Sequence, residues 1–80
     1  MRLDKFLKVT KIIKRRTIAN QAADNGRVSV NGKVAKPSYD VKVNDIIQIA
    51  FGNSVREYKV LSVQDNVSKE AANELYEIIK

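Results

Sequence analysis

Apolar side chains open the chain three and four positions apart: Leu3, Phe6 and Leu7. On a helical wheel they fall within a sector of about 100°, and Asp4, Lys5, Lys8 and Lys11 take the other side. The spacing predicts an amphipathic helix from Arg2 or Leu3 to about Val9 or Thr10. A second helix is expected over roughly Arg15 to Asn25. Its apolar stripe is narrow and made of small residues, Ile18, Ala19, Ala22 and Ala23. Such a stripe lets a neighbouring helix approach closely. Gly26 stands where a helix end calls for a left-handed residue. Leu3, Phe6, Leu7, Ile18 and Ala19 are therefore assigned to the core.

From Arg27 the period shortens to two. RVSVNGKVAK reads as a strand, a turn at Asn31-Gly32 and a second strand, because Asn-Gly supplies the positive φ angles of a type I′ hairpin. Pro37, the single proline, interrupts the ladder in KPSY. Val41 and Val43 form a short extended piece, and Asn44-Asp45 a turn. IIQIAF and VREYKVLSV read as two further strands separated by GNS. Ser68 has the position of an N-cap for a helix through Ile79, with Ala71, Leu75, Ile78 and Ile79 on its apolar side. The expected order is α-α-β-β-β-β-α, an α+β fold in one domain over residues 1–80.

Charge changes the picture more than composition does. Residues 1–16 hold seven Lys or Arg and one acid, Asp4, whereas residues 17–80 hold eight of each sign. The whole net charge of +6 thus belongs to the first fifth of the chain. A pI near 9.8 fits a polyanionic partner, and its confinement to one segment implies a cationic face rather than a generally basic surface. Arg15 and Arg16 at the start of the second helix oppose the helix dipole, which favours negative charge there. A broken local rule points to function. Arg forks match phosphate oxygens and Lys supplies mobile point charges, so the segment suits a phosphate backbone. Arg27, Lys33 and Lys36, around the hairpin, can extend the surface.

Other readings stand beside this one. Solvated lysines are common on soluble amphipathic helices, although seven cations against one acid exceeds what solubility needs. A basic amphipathic helix can also lie on anionic lipid, but this one is short and its apolar side is required by a small core. Cysteine and histidine are both absent, which removes disulfides, thiolate chemistry and the usual zinc and copper ligand sets. No metal site, cofactor or catalytic residue is expected. Asp40 and Asp45 fall in turns, where acids have a structural explanation. No apolar run approaches a membrane span or a signal-peptide core, so the expected compartment is the cytoplasm.

Four blocks of the sequence carry a resemblance. RLDKFL, RRTIANQAADNG, GRVSVNGK and KPSYDVKVNDIIQI follow, in order, the pattern of the S4 RNA-binding family over about residues 2–50. Residues 51–80 would add further strands and the C-terminal helix. The chain departs from the pattern at Gln21, where an aliphatic residue is usual, and at Asn44, where Gly commonly precedes the Asp. The resemblance implies an S4-type (αL) module, with two N-terminal helices packed on a small, mostly antiparallel twisted sheet. It implies binding of structured RNA by those helices, without catalysis. The short stand-alone form is similar to the ribosome-associated heat-shock-protein subfamily, in particular to its member in bacterial ribosome-associated quality control. That implies contacts with 23S rRNA of the large subunit and with tRNA. It also implies a NEMF-family partner, support of C-terminal alanine tailing, and a monomeric state without membrane. The heat-shock relatives, which carry a longer basic extension, and a general RNA-binding module are the alternatives.

By this match Arg2, Lys5, Lys8 and Lys11 face RNA from the first helix, and Lys14, Arg15 and Arg16 from the start of the second. Arg16 occupies the family's Arg position. Asp4 either orients a nearby Arg or stabilises the helix start. Tyr39 and Tyr58 are either buried or available to stack on bases.

Overall fold

A computed structural model describes residues 1–80. Helix α1 runs Leu3–Val9 and α2 runs Arg16–Asp24, close to the predicted bounds. Leu3, Phe6 and Leu7 are fully buried, and Ala19 and Ala23 of α2 meet them. Thr10 ends α1 by donating its hydroxyl to the carbonyls of Phe6 and Leu7. Gly26 closes α2 with φ +78°: its N–H bonds the Ala23 carbonyl and that of Arg27 bonds Ala22. That pair of bonds is a Schellman cap.

The hairpin forms as the pattern predicts. Strand β1, Val28–Val30, pairs with β2, Lys33–Val34, across Asn31 and Gly32, whose φ angles are +53° and +85°. Strand β3, Ile46–Phe51, lies antiparallel to β1, and β4, Ser54–Val60, lies antiparallel to β3. Alternation puts Val28, Val30, Ile47, Ile49, Tyr58 and Val60 on the buried face. On the other face Gln48 donates to its cross-strand partner Glu57. Asn44, at φ +76°, takes the left-handed conformation that its amide side chain tolerates.

The C-terminal helix is much shorter than predicted. Ser68 does cap it, accepting the Ala71 N–H, but α3 covers only Lys69–Ala72. Residues Tyr76–Ile78 then form β5, antiparallel to β4, in a sheet ordered β2-β1-β3-β4-β5. Helical periodicity over Ala71, Leu75, Ile78 and Ile79 competed with an open sheet edge. Strand β4 would otherwise present a row of unpaired N–H and C=O groups, and Tyr, Ile and Ile suit a strand. Only Ala72 and Leu75 of this segment are buried, while Ile78 and Ile79 stay exposed. Tyr76 and Tyr58 pack their rings edge to face, with centroids 5.6 Å apart. Ile18 also departs from the core assignment, at 49 % exposed. The sector of α2 that meets α1 is only wide enough for the alanines, and Ile18 turns to its side. No helix is long and apolar enough to cross a membrane.

Candidate nucleic-acid interface

Packing α1 on α2 brings two arginines from separate segments to one carboxylate. The Asp4 side chain is 3 % exposed, whereas those of Arg2 and Arg16 are 50 % and 47 % exposed. Arg2 donates Nε to Oδ1 at 3.2 Å and Nη2 to Oδ2 at 3.4 Å. Arg16 Nη2 stands 3.5 Å from Oδ1. The Lys5 backbone N–H donates to Oδ1 at 2.8 Å, and Asn20 Nδ2 donates to Oδ2 at 3.1 Å. The carboxylate is therefore saturated from beneath, while both guanidinium groups keep donors turned to solvent.

Burial alone would push the Asp4 carboxyl up. The hydrogen bonds from Arg2 and Asn20 and the charges of Arg16 and Arg2 outweigh it, and the group is held below its ordinary value of 3.8. A depressed carboxyl contributes stability above its unfolded pKa and loses it as pH falls through the folded pKa. The melting temperature should therefore fall on acidification below about pH 4. Asp4→Asn should flatten that part of the profile, which thermal melts across pH 2–6 would check.

The remaining cations fall into groups by the grooves that they line. Lys36 shares a groove with Arg2, Asn20 and Pro37, next to the depression that holds Arg16, Thr17 and Gln21. Lys33 lines an adjoining groove that also includes Lys36. Lys14 and Arg15 are exposed in the connection before α2 and make no ion pair. Arg15 is the extended N-cap residue, with no side-chain cap and no acid in the first turn of α2. That end of the helix therefore keeps its positive partial charge next to three cationic side chains. Lys5 pairs with Asp65 at 2.9 Å, both side chains being well exposed, so the pair is weak. Lys8 and Lys11 line a different cleft. Arg27 lies apart, beside Ile18 and Phe51.

Asn20 is a site residue that sequence reasoning missed. Its signal was available: an amide one turn after Arg16, flanked by the alanines of a narrow apolar stripe. Tyr58 is buried, and burial holds its phenol above the ordinary value. Tyr39 is half-buried and donates to Asp45 at 2.9 Å.

Comparison with known proteins adds an independent line. The S4 domain model matches residues 1–47. The chain is 57 % identical to the RQC P-site tRNA stabilizing factor of Streptococcus pneumoniae, over 99 % of this chain and 90 % of that protein. It is 49 % identical to the protein of the same name from Listeria monocytogenes, over 100 % of this chain and 87 % of that one. Among solved structures, the trimeric heat shock protein 15 of Vibrio cholerae superposes with a TM-score of 0.89 at 29 % identity, covering 99 % of this chain and 81 % of that chain.

Proposed function

Because this chain belongs to the S4 domain family, we propose that it is a non-catalytic RNA-binding factor of bacterial ribosome-associated quality control. The observation that carries the reading is the pair of half-exposed guanidinium groups, Arg2 and Arg16, held on one buried carboxylate. Donors fixed in advance meet phosphate oxygens without first losing side-chain freedom. The name shared by the relatives, an RQC P-site tRNA stabilizing factor, supports tRNA as one ligand. The protein would bind the large ribosomal subunit in the cytoplasm as a monomer, contacting 23S rRNA and the tRNA that carries a stalled chain. With a NEMF-family partner it would support C-terminal alanine tailing. Arg2, Arg16 and Lys36 are the main phosphate contacts, with Lys14 and Arg15 beside them, and Asp4 and Asn20 set their direction.

Affinity for RNA should fall steeply with salt. Neutralising about four to six phosphates gives a log–log slope on the order of −3 to −5. Binding of tRNA and of large subunits measured from 50 to 300 mM KCl tests this, and a flat response would overturn the reading. Co-sedimentation with large subunits that survives nuclease treatment would instead favour an acidic protein as the partner.

A further inference from the structure

The cleft that takes Lys8 and Lys11 has a third cation. Lys8 lies in the last turn of α1, Lys11 follows the end of that helix, and Lys69 is the first residue of α3. With Asn66 they line one open cleft of about 440 Å³. All three lysines are exposed and none makes an ion pair. Asp65 is the only acid lining it, and its carboxylate is engaged from the flank by Lys5 at 2.9 Å. The cleft therefore keeps a clear excess of positive charge.

A second observation concerns the backbone. Lys11 has φ +62°, in the left-handed region that a side chain with a Cβ enters only against steric strain. Glycine or asparagine would sit there with less strain. A strained lysine in a cationic cleft suggests that the ammonium group is the reason for its presence.

We infer that Lys8, Lys11 and Lys69 form a second binding site for an RNA phosphodiester backbone, separate from the one at Arg2 and Arg16. The two sites share no lining residue. They lie near opposite ends of α1, about 10 Å apart along its axis. The first offers planar forks fixed on a carboxylate and suits phosphates held in a set orientation. The second offers mobile point charges from three chain segments and suits a run of backbone. Lys69 lies outside the residues that match the S4 model, so the C-terminal segment completes this site. The inference rests on the RNA-binding reading above and deepens it.

The test is a salt titration of fluorescently labelled tRNA against the full chain and three variants. Lys69→Gln should weaken binding about fivefold at 0.15 M salt and reduce the size of the log–log slope by about 0.9, the signature of one lost phosphate contact. Lys11→Gly should cause the same loss while raising the melting temperature by about 4 °C, since it removes both the charge and the strain. Weaker binding by a more stable protein cannot be attributed to misfolding. Arg16→Gln serves as the control. If it binds more weakly while Lys69→Gln and Lys11→Gly keep the parental affinity and slope, the second site is wrong and the first stands. If all three variants bind as the parent does, the reading of the helix pair fails and takes this proposal with it.

Discussion

Replacing Arg2 and Arg16 together by glutamine is expected to lower RNA affinity by roughly thirtyfold to a hundredfold at 0.15 M salt. The lower figure follows from two lost phosphate contacts at about fivefold each; loss of the fixed fork geometry adds the rest. Stability should fall as well. Asp4 is nearly inaccessible, and without the arginines its charge keeps only the Lys5 N–H and the Asn20 amide as partners. Leaving the carboxylate with those two partners alone costs about 2 kcal/mol here, below the roughly 3–5 kcal/mol of a fully buried pair, because the arginines themselves are half exposed. The melting temperature should drop by roughly 8–16 °C. Adding Asp4→Asn to the double variant should restore most of that loss, because the neutral amide needs no counter-charge and Asn20 can turn its own carbonyl towards it. Affinity should not recover. Binding and thermal melts on the parent, the double and the triple variant separate the two roles. Recovery of affinity in the triple variant would show that the arginines act through the fold and do not touch RNA.

The second large effect is expected at Asp45, far in role from the RNA surface. Its side chain ties three segments together. Oδ2 accepts the Tyr39 hydroxyl and the Lys42 N–H, each at 2.9 Å, and Oδ1 accepts Asn31 Nδ2 at 3.0 Å. Asn31 in turn accepts the Ile46 N–H at 2.9 Å, so the hairpin turn is fastened to the start of β3. Asp45→Ala removes the buried acceptor shared by three hydrogen bonds, whose donors belong to half-buried Tyr39 and to Asn31 and Lys42, both exposed residues. At about 1 kcal/mol each the loss is roughly 3 kcal/mol, or a fall in melting temperature of about 12 °C or more. The hydrogen bond to Asp45, followed by burial and the nearby charge of Asp45, holds the Tyr39 phenol above 10.0. Removing the carboxylate should let that phenol titrate closer to its ordinary value. Ultraviolet titration of the tyrosines would detect the change, and an unchanged titration would contradict the placement of Tyr39. The folded fraction of this variant should still bind RNA like the parent, since none of the three donors lies at the arginine pair.

Several features were legible because they depend on neighbours in the chain. The period of Leu3, Phe6 and Leu7 located α1, Asn31-Gly32 marked the hairpin, and Gly26 marked the end of α2. Each is a statement about local dihedral preference or about which side of a short element is apolar. The concentration of cations in the first sixteen residues was equally plain. The Asp4–Arg2 contact was within reach for the same reason, since the two residues are two apart.

Other features were settled by competition between distant groups. Residues 76–78 fit a helix as well as a strand by pattern alone, and the unpaired edge of β4 decided between them. Ile18 was apolar and rightly spaced, but closely packed alanines left it no room in the core. The cations of the first helix looked alike by charge, and packing gave them different neighbours: Arg2 went to Asp4, Arg16 and Asn20, while Lys8 and Lys11 met Lys69 from the far end of the chain. By itself, then, the sequence determined the first two helices, the hairpin and the sign of the surface, because torsional preference and side-chain charge are carried residue by residue. Only the tertiary structure decided which charges share a carboxylate and which share a cleft. Those arrangements depend on which segments leave water together, and no local spacing encodes that.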